Sequence, residues 1–526
     1  MEGVLVLMPA TLFTKLVGLL YKIPLVAIVG VTGMAYFLAA YHVYSTLFVL
    51  LATGLPTALS VLVAGAVAKG DAVGARRVLW AALLLFLPAG AILTAALCLF
   101  ARPIAAALSM GGATACILAV APSLLLSAFL GGAKGYFQGH RRMLPTAVSE
   151  ALEAAGKLGF GLGFALLARE RGYDTPTVAA YAIFGITAGL ALAALVMGVL
   201  LAADLLRRPG GTGSASLSLS ATLRALCRMA FPITVSAAVM SLVSLIDTAL
   251  ISGQLQRAGF APDVANAMYS SYGNLAVPLY NLVPTLLTPV TLSLMPLLAA
   301  GLSKGDTAGG RAALCTALRL CALVAIPAAL GLGTFAAPVL RLIYPHQSEA
   351  VSAAAPLLSL LALSVLPAAM VTLTGAALQA TGHTVLPIPA TVAGAAIKLC
   401  AEWILLSVPG VYICAAPIST LLCHLTVLAV EGVALSRVLP FRFFAGEALF
   451  RPLAAALLGV GAGGAVYLLL SRRWDSPLVM LPVMGTVAVL FLLAALLLGA
   501  VGEGELAALP RGERLCAALK KLRLLR

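Results

Sequence analysis

Apolar runs about twenty residues long follow one another along almost the whole chain, and most of its charge is gathered in the short turns between them. A helix needs roughly 20 apolar residues to cross the hydrocarbon core of a bilayer. Inside that core every backbone polar group must be satisfied within its own element, which leaves helices or closed barrels. Runs this long exclude the dyad alternation of a barrel, so the pattern predicts an all-α, polytopic membrane protein. Only 10% of residues are charged, against about 25% in soluble domains. With a mean hydropathy of +1.09, no sizeable soluble domain is expected.

The first stretch, from Val4 to Lys69, contains two such runs. Gly30-Val31-Thr32-Gly33 separates them, so they read as two membrane helices joined by a tight turn. Lys15 and Lys22 lie in the first run, seven residues apart and therefore on one helical face. A charge in mid-span costs about 2.5–3.5 kcal/mol on insertion scales. That face is expected to look into a wet cavity or toward an anionic partner. No basic segment precedes the run, so a cleaved signal peptide is not expected.

Further spans are predicted at about 78–100, 113–132, 143–168, 177–203, 230–255, 272–300, 312–335, 353–380, 385–406, 412–434, 453–470 and 478–501, about fourteen in all. Residues 204–228, with four arginines and a Gly/Ser-rich centre, read as a cytoplasmic linker. The expected organisation is an N-terminal six-helix bundle (1–203), that linker, a second bundle (229–438), two extra helices (439–502) and a basic amphipathic tail (503–526) lying on anionic lipid.

Of the 33 Lys and Arg, seven fall in the odd-numbered turns: Arg102, Arg169, Arg171, Arg257, Arg341, Arg472 and Arg473. The positive-inside bias then puts both termini in the cytoplasm of a multi-pass cell-membrane protein. The net charge of +15 thus addresses topology and anionic lipid, not nucleic acid.

An internal repeat organises the spans. Lys69-Gly70-Asp71 returns as Lys304-Gly305-Asp306, Gly139-His140 as Gly382-His383, Leu144-Pro145 as Leu386-Pro387, and Lys157-Leu158 as Lys398-Leu399. The order is kept, at separations of 235 to 243 residues. Six spans per unit give both halves the same orientation, related by an axis along the membrane normal, as in other parallel-repeat transporters. Two like-oriented bundles imply a cleft with alternating access.

Charges inside spans are candidate functional groups. Glu150, Glu153 and Lys157 share one face of the fifth span, with Glu153–Lys157 a possible i,i+4 pair. Asp247 sits among Ser241, Ser244 and Thr248, and the eleventh span holds Lys398 and Glu402. Lys398 is expected to pair with Asp247 or Glu402 in place of a coupling ion. Lys134, His140 and Glu431 read as interfacial, His42 and His424 as core histidines, and the aromatics as span packing. The nine cysteines form no CxxC and the histidines no metal spacing. No nucleophile constellation or phosphate loop occurs, so no enzyme activity is expected.

The segment from Lys15 to Pro24, Gly30 to Gly33 with Tyr36, Gly54-Leu55-Pro56-Thr57-Ala58 and the Lys-Gly-Asp turn resemble stage V sporulation protein B and related polysaccharide-biosynthesis proteins. These belong to the multidrug/oligosaccharidyl-lipid/polysaccharide exporter superfamily, and the resemblance extends over about residues 3–440. It implies a flippase carrying an undecaprenyl-pyrophosphate-linked saccharide, lipid II in particular, from the inner to the outer leaflet. Lys15 and Lys22 then resemble cavity cations facing the pyrophosphate, and Asn274 stands where an arginine is expected. Lys157 and Lys398 complete the expected substrate-binding set.

Asp247 resembles a sodium-site aspartate; with Glu150, Glu153 and Glu402 it makes the expected set of coupling groups or cavity ion pairs. No cofactor is expected; coupling to sodium, protons or membrane potential is. The expected partners are the lipid-linked substrate and anionic lipids, with the protein a monomer. The alternative is a cation-coupled multidrug antiporter of the same superfamily.

Overall fold

The computed structural model describes residues 2–52, 54–207, 218–287, 307–381, 383, 385–439, 449–474 and 476–501. The side chains of residues 2–17, 19, 20, 52, 232, 233, 235–237, 240 and 307 are not among those described. The described residues form helices and turns, with no strand among them. Among the described residues ten helices are long and apolar enough to cross a membrane, eleven if one bent pair counts as a span. This is the multi-pass helical protein that the apolar runs predict. The tail and much of the eighth span (288–306) lie outside the described residues.

Two compact units divide the chain between Ser270 and Ser271. Unit 1 begins with α1 (Glu2–Ala52), which is not straight. Gly30 has φ 76° and ψ 168°, a conformation that L side chains avoid and glycine adopts without steric cost. Tyr21 and Phe37 would stand about 24 Å apart along an unbroken helix, yet their ring centroids are 6.2 Å apart. The chain therefore reverses at Gly30, and the predicted hairpin is present. The break strands the last carbonyls of the first limb, and the Arg169 guanidinium takes them up, donating to Ala27 O at 2.8 Å and Ile28 O at 3.3 Å.

The unit continues through α2 (Gly54–Ala68), α3 (Ala72–Leu99), α4 (Ala101–Ala107), α5 (Ala113–Val120), α6 (Ser123–Gly139), α7 (Leu144–Glu170) and α8 (Thr175–Arg207). Asp71 caps α3, accepting from Gly74 N at 2.6 Å. Helices α7 and α8 meet backbone to backbone: a Cβ on Gly156 would stand 2.6 Å from Gly189 Cα. Gly185 and Gly189 form the small-xxx-small spacing that lets membrane helices approach closely. Helices α9 (Leu219–Arg257) and α10 (Pro262–Ser270) pack on α1, and α9 also on α2. Contact density therefore groups them with unit 1, whereas the sequence repeat places the seventh span with the second bundle.

Unit 2 opens with a π-helical turn, Ser271–Ala276, and α11 (Val277–Leu286). It continues with α12 (Thr307–Thr334), α13 (Ala336–Ile343), α14 (Ser348–Ala362), α15 (Val365–Ala380), α16 (Pro387–Leu406), α17 (Ala415–Val438), α18 (Arg451–Ser471) and α19 (Met480–Leu497). The tenth span, expected as one helix, is broken: α14 and α15 meet at 47°. Its break falls at Leu363 and Ser364, where the buried Ser364 occupies the bend. The two extra helices are anchored through a cluster of Phe335, Val460, Val479, Met480 and Val483. Repeat-related motifs fall at matching points: His140 and Thr381 cap the ends of α6 and α15, and Leu144-Pro145 and Leu386-Pro387 open α7 and α16.

Candidate functional site

The hairpin at Gly30 brings two tyrosines of α1 to one place. Lys157 on α7 sets its ammonium 5.3 Å from the Tyr21 ring centroid and 5.1 Å from that of Tyr41. Such contacts stabilise a cation by about 0.5–1 kcal/mol when exposed and about 2 when desolvated. Tyr21 is held in place because its hydroxyl donates to Ala182 O at 3.1 Å. A Cβ on Gly161 would fall 2.6 Å from that same hydroxyl. Lys22, next to Tyr21, is half-buried and close enough to Lys157 for their like charges to interact. No carboxylate among the described residues pairs with either lysine. Two cations thus share one aromatic-lined spot inside the membrane.

One and two turns back along the same face of α7 stand Glu153 and Glu150. With Phe48, Pro56, Thr57, Ser127, Lys134 and others they line a cavity of about 340 Å³ in unit 1. The partner of Glu153 is Lys134 of α6, at 2.7 Å, not Lys157. Ser149 Oγ adds a donor to the same carboxylate oxygen at 3.0 Å. The i,i+4 spacing made Glu153–Lys157 plausible, but α6 and α7 are adjacent antiparallel helices and the nearer ammonium comes from across the turn. Lys134, read from sequence as interfacial, is therefore a cavity residue. Polar groups thus follow one face of α7, with the Lys134–Glu153 pair at one end and Lys157 over two tyrosine rings, close to Lys22, at the other.

Asp247 is half-buried on α9. Its neighbour Thr248 joins a node in which His42 Nδ1 lies 2.7 Å from Thr248 Oγ1 and 3.2 Å from Tyr269 Oη. No group of three His, Cys, Asp or Glu that could hold a metal occurs among the described residues. Lys15 belongs to the part of α1 whose side chains are not described.

The remaining expected residues belong to unit 2. Asn274 is fully buried in the π-helical turn, and its backbone carbonyl accepts from the Tyr344 hydroxyl at 3.4 Å. Lys398 and Glu402 are buried on α16, with Nζ 4.0 Å from Oε2. Glu431, expected at an interface, is 2% exposed on α17, its carboxyl 2.5 Å from Thr374 Oγ1. Sequence reading missed Tyr21 and Tyr41, because only the hairpin geometry shows that residues twenty apart can flank one ammonium.

A sequence model of the polysaccharide biosynthesis proteins matches residues 1–301, and one of the lipid II flippase MurJ matches residues 162–487. The chain belongs to this flippase family. Among its relatives, the uncharacterized membrane protein YabM of Bacillus subtilis is 26% identical over 77% of this chain and 73% of its own length. The B. subtilis lipid II flippase MurJ is 35% identical, but over 32% of each chain. Stage V sporulation protein B of that organism is 29% identical over 29% of this chain and 30% of its own. The chain thus aligns with only about a third of the last two relatives.

The fold is likewise that of solved transporters. A MurJ structure in an inward closed conformation has a TM-score of 0.67, at 15% identity, over 93% of this chain and 98% of that one. An inward-facing MATE multidrug resistance transporter gives 0.66, at 15% identity, over 81% and 95%. A flippase-family membrane transporter is the identity these matches support, as the N-terminal motifs imply.

Proposed function

We propose that the chain translocates a polyprenyl-pyrophosphate-linked saccharide, lipid II being the first candidate, from the inner to the outer leaflet by alternating access, with both termini in the cytoplasm. The observation that carries this reading is the convergence of Lys22 and Lys157 without a carboxylate partner among the described residues. Two unneutralised ammonium groups in a membrane are costly. An anionic headgroup offsets that cost, and lysine is a point-charge phosphate ligand. The adjoining cavity, with Thr57, Ser127, Gln138, Glu150 and Glu153, offers the hydroxyl, amide and carboxylate groups that hydrogen-bond a sugar. Lys15, two turns before Lys22 in the sequence, is the third proposed ligand of the headgroup, on sequence spacing alone. Asp247 and the Lys398–Glu402 pair are its proposed coupling groups, with protons, sodium or membrane potential as driving force.

The MATE likeness keeps a second reading: a cation-coupled multidrug antiporter in which Glu150 and Glu153 hold a cationic drug. Glu153 is already neutralised by Lys134, which favours the first. Reconstitution in vesicles decides between them. Fluorescent lipid II loaded in one leaflet should become accessible in the other only with protein present, and a cationic dye should not move. Dye transport without lipid II transport would reverse the assignment.

A further inference from the structure

Glu431 is a carboxyl buried in unit 2 and used by nothing described above. It sits on α17, seven residues before the helix ends, and meets α15 at Thr374. The groups facing it from the packed helices are few. Helix α15 presents Thr374 and Gly375, and a Cβ on Gly375 would stand 3.3 Å from Oε1. The charges of α16 are Lys398 and Glu402, which face each other. On α17 itself His424 is bound to its own Thr420 carbonyl at 2.8 Å, and Arg437 is exposed in the last turn. No cation lies within ion-pair distance of Glu431 among the described residues.

Hydrogen-bond accounting favours the protonated state. Thr374 has one hydroxyl proton, and three acceptors surround it: Met370 O at 3.1 Å, Val371 O at 3.2 Å and Glu431 Oε2 at 2.5 Å. An ionised Glu431 would rest on that single neutral donor, and an isolated carboxylate in an apolar interior is prohibitively costly. A protonated Glu431 donates to Thr374 Oγ1, whose own O–H donates to Met370 O. Both hydroxyls are then satisfied, at a distance normal for O–H···O.

We propose that Glu431 is a proton-binding site of the transport cycle. It holds a proton while α15 and α17 are closed on it and returns that proton to water when they part; only its O–H bond breaks and re-forms. The 47° break between α14 and α15 supplies a bend in the same helix, about 15 Å along α15 from Thr374. Its role in driving transport rests on the flippase reading above, whereas its protonation does not.

Infrared spectroscopy of the full-length protein in nanodiscs, without substrate, tests the protonation. At neutral pH a protonated-carboxyl carbonyl band should be present in the wild type, absent in Glu431→Gln and retained in Glu402→Gln. A wild type without the band, or a Glu431→Gln protein that keeps it unchanged, overturns the assignment. In vesicles moving fluorescent lipid II, an imposed pH gradient should change the wild-type rate several-fold and leave the Glu431→Gln rate unaffected. An equal gradient response in both proteins would overturn the coupling. If the wild type moves no lipid II at all, the flippase reading fails while the infrared result still judges the proton site.

Discussion

Lys157 and Lys398 occupy matching positions of the internal repeat, on α7 of unit 1 and α16 of unit 2, yet their surroundings are opposite. Lys157 is half-buried over two tyrosine rings, and the acid one turn away from it is neutralised by Lys134. Lys398 is buried and faces its own i,i+4 carboxylate, Glu402, at 4.0 Å. The sequence motif is repeated, but the charge around it is not. Lys157 has no carboxylate partner among the described residues, whereas Lys398 faces Glu402. Matching positions of the sequence repeat thus carry different chemistry in the two units.

The contrast can be broken experimentally, most strongly in unit 2. Lys398→Ala leaves Glu402 as an uncompensated buried charge and should cost about 3–5 kcal/mol. Thermal unfolding in detergent checks this, and Lys398→Met combined with Glu402→Leu should recover most of the loss. In unit 1, Lys157→Ala should barely alter stability. It should lower lipid II transport by about ten- to hundredfold, the worth of a charge-assisted hydrogen bond of about 1.5–3 kcal/mol. Lys22→Ala should act alike in the same vesicle assay.

Lys134→Ala should matter less. It unpairs Glu153 in a partly wet cavity, at a cost of about 1–2 kcal/mol, and Glu153→Gln in the same chain should restore stability. The smallest effect is expected for Tyr41→Leu. Losing one ring from beneath Lys157 removes about 0.5–1 kcal/mol, read as a few-fold rise in the lipid II concentration needed for half-maximal transport.

Much of this was legible in the sequence, because span length and charge placement follow from the bilayer itself. The Gly30 hairpin and the polar face of α7 could be read from it. Side-chain partners could not. Lys134 replaced Lys157 as the partner of Glu153 because interhelical neighbours depend on how α6 and α7 cross, which the glycine contacts with α8 help to set. Tyr21 and Tyr41 look like ordinary span packing until the reversal at Gly30 aligns them. Glu431 read as interfacial from its nearness to a helix end, but α15 covers it. The break between α14 and α15 did carry a signal: Pro367 has no N–H to give the Leu363 carbonyl one turn back, but prolines recur within several spans and this one does not stand out among them.

The claim that Lys22 and Lys157 form an anion site is tested most directly by the affinity of purified protein for lipid II. Native mass spectrometry can compare wild type, Lys22→Gln and Lys157→Gln, with Lys69→Gln as an exposed-lysine control. Each of the first two substitutions should weaken binding at least tenfold and the control should not. Equal affinity in all four proteins would contradict the account.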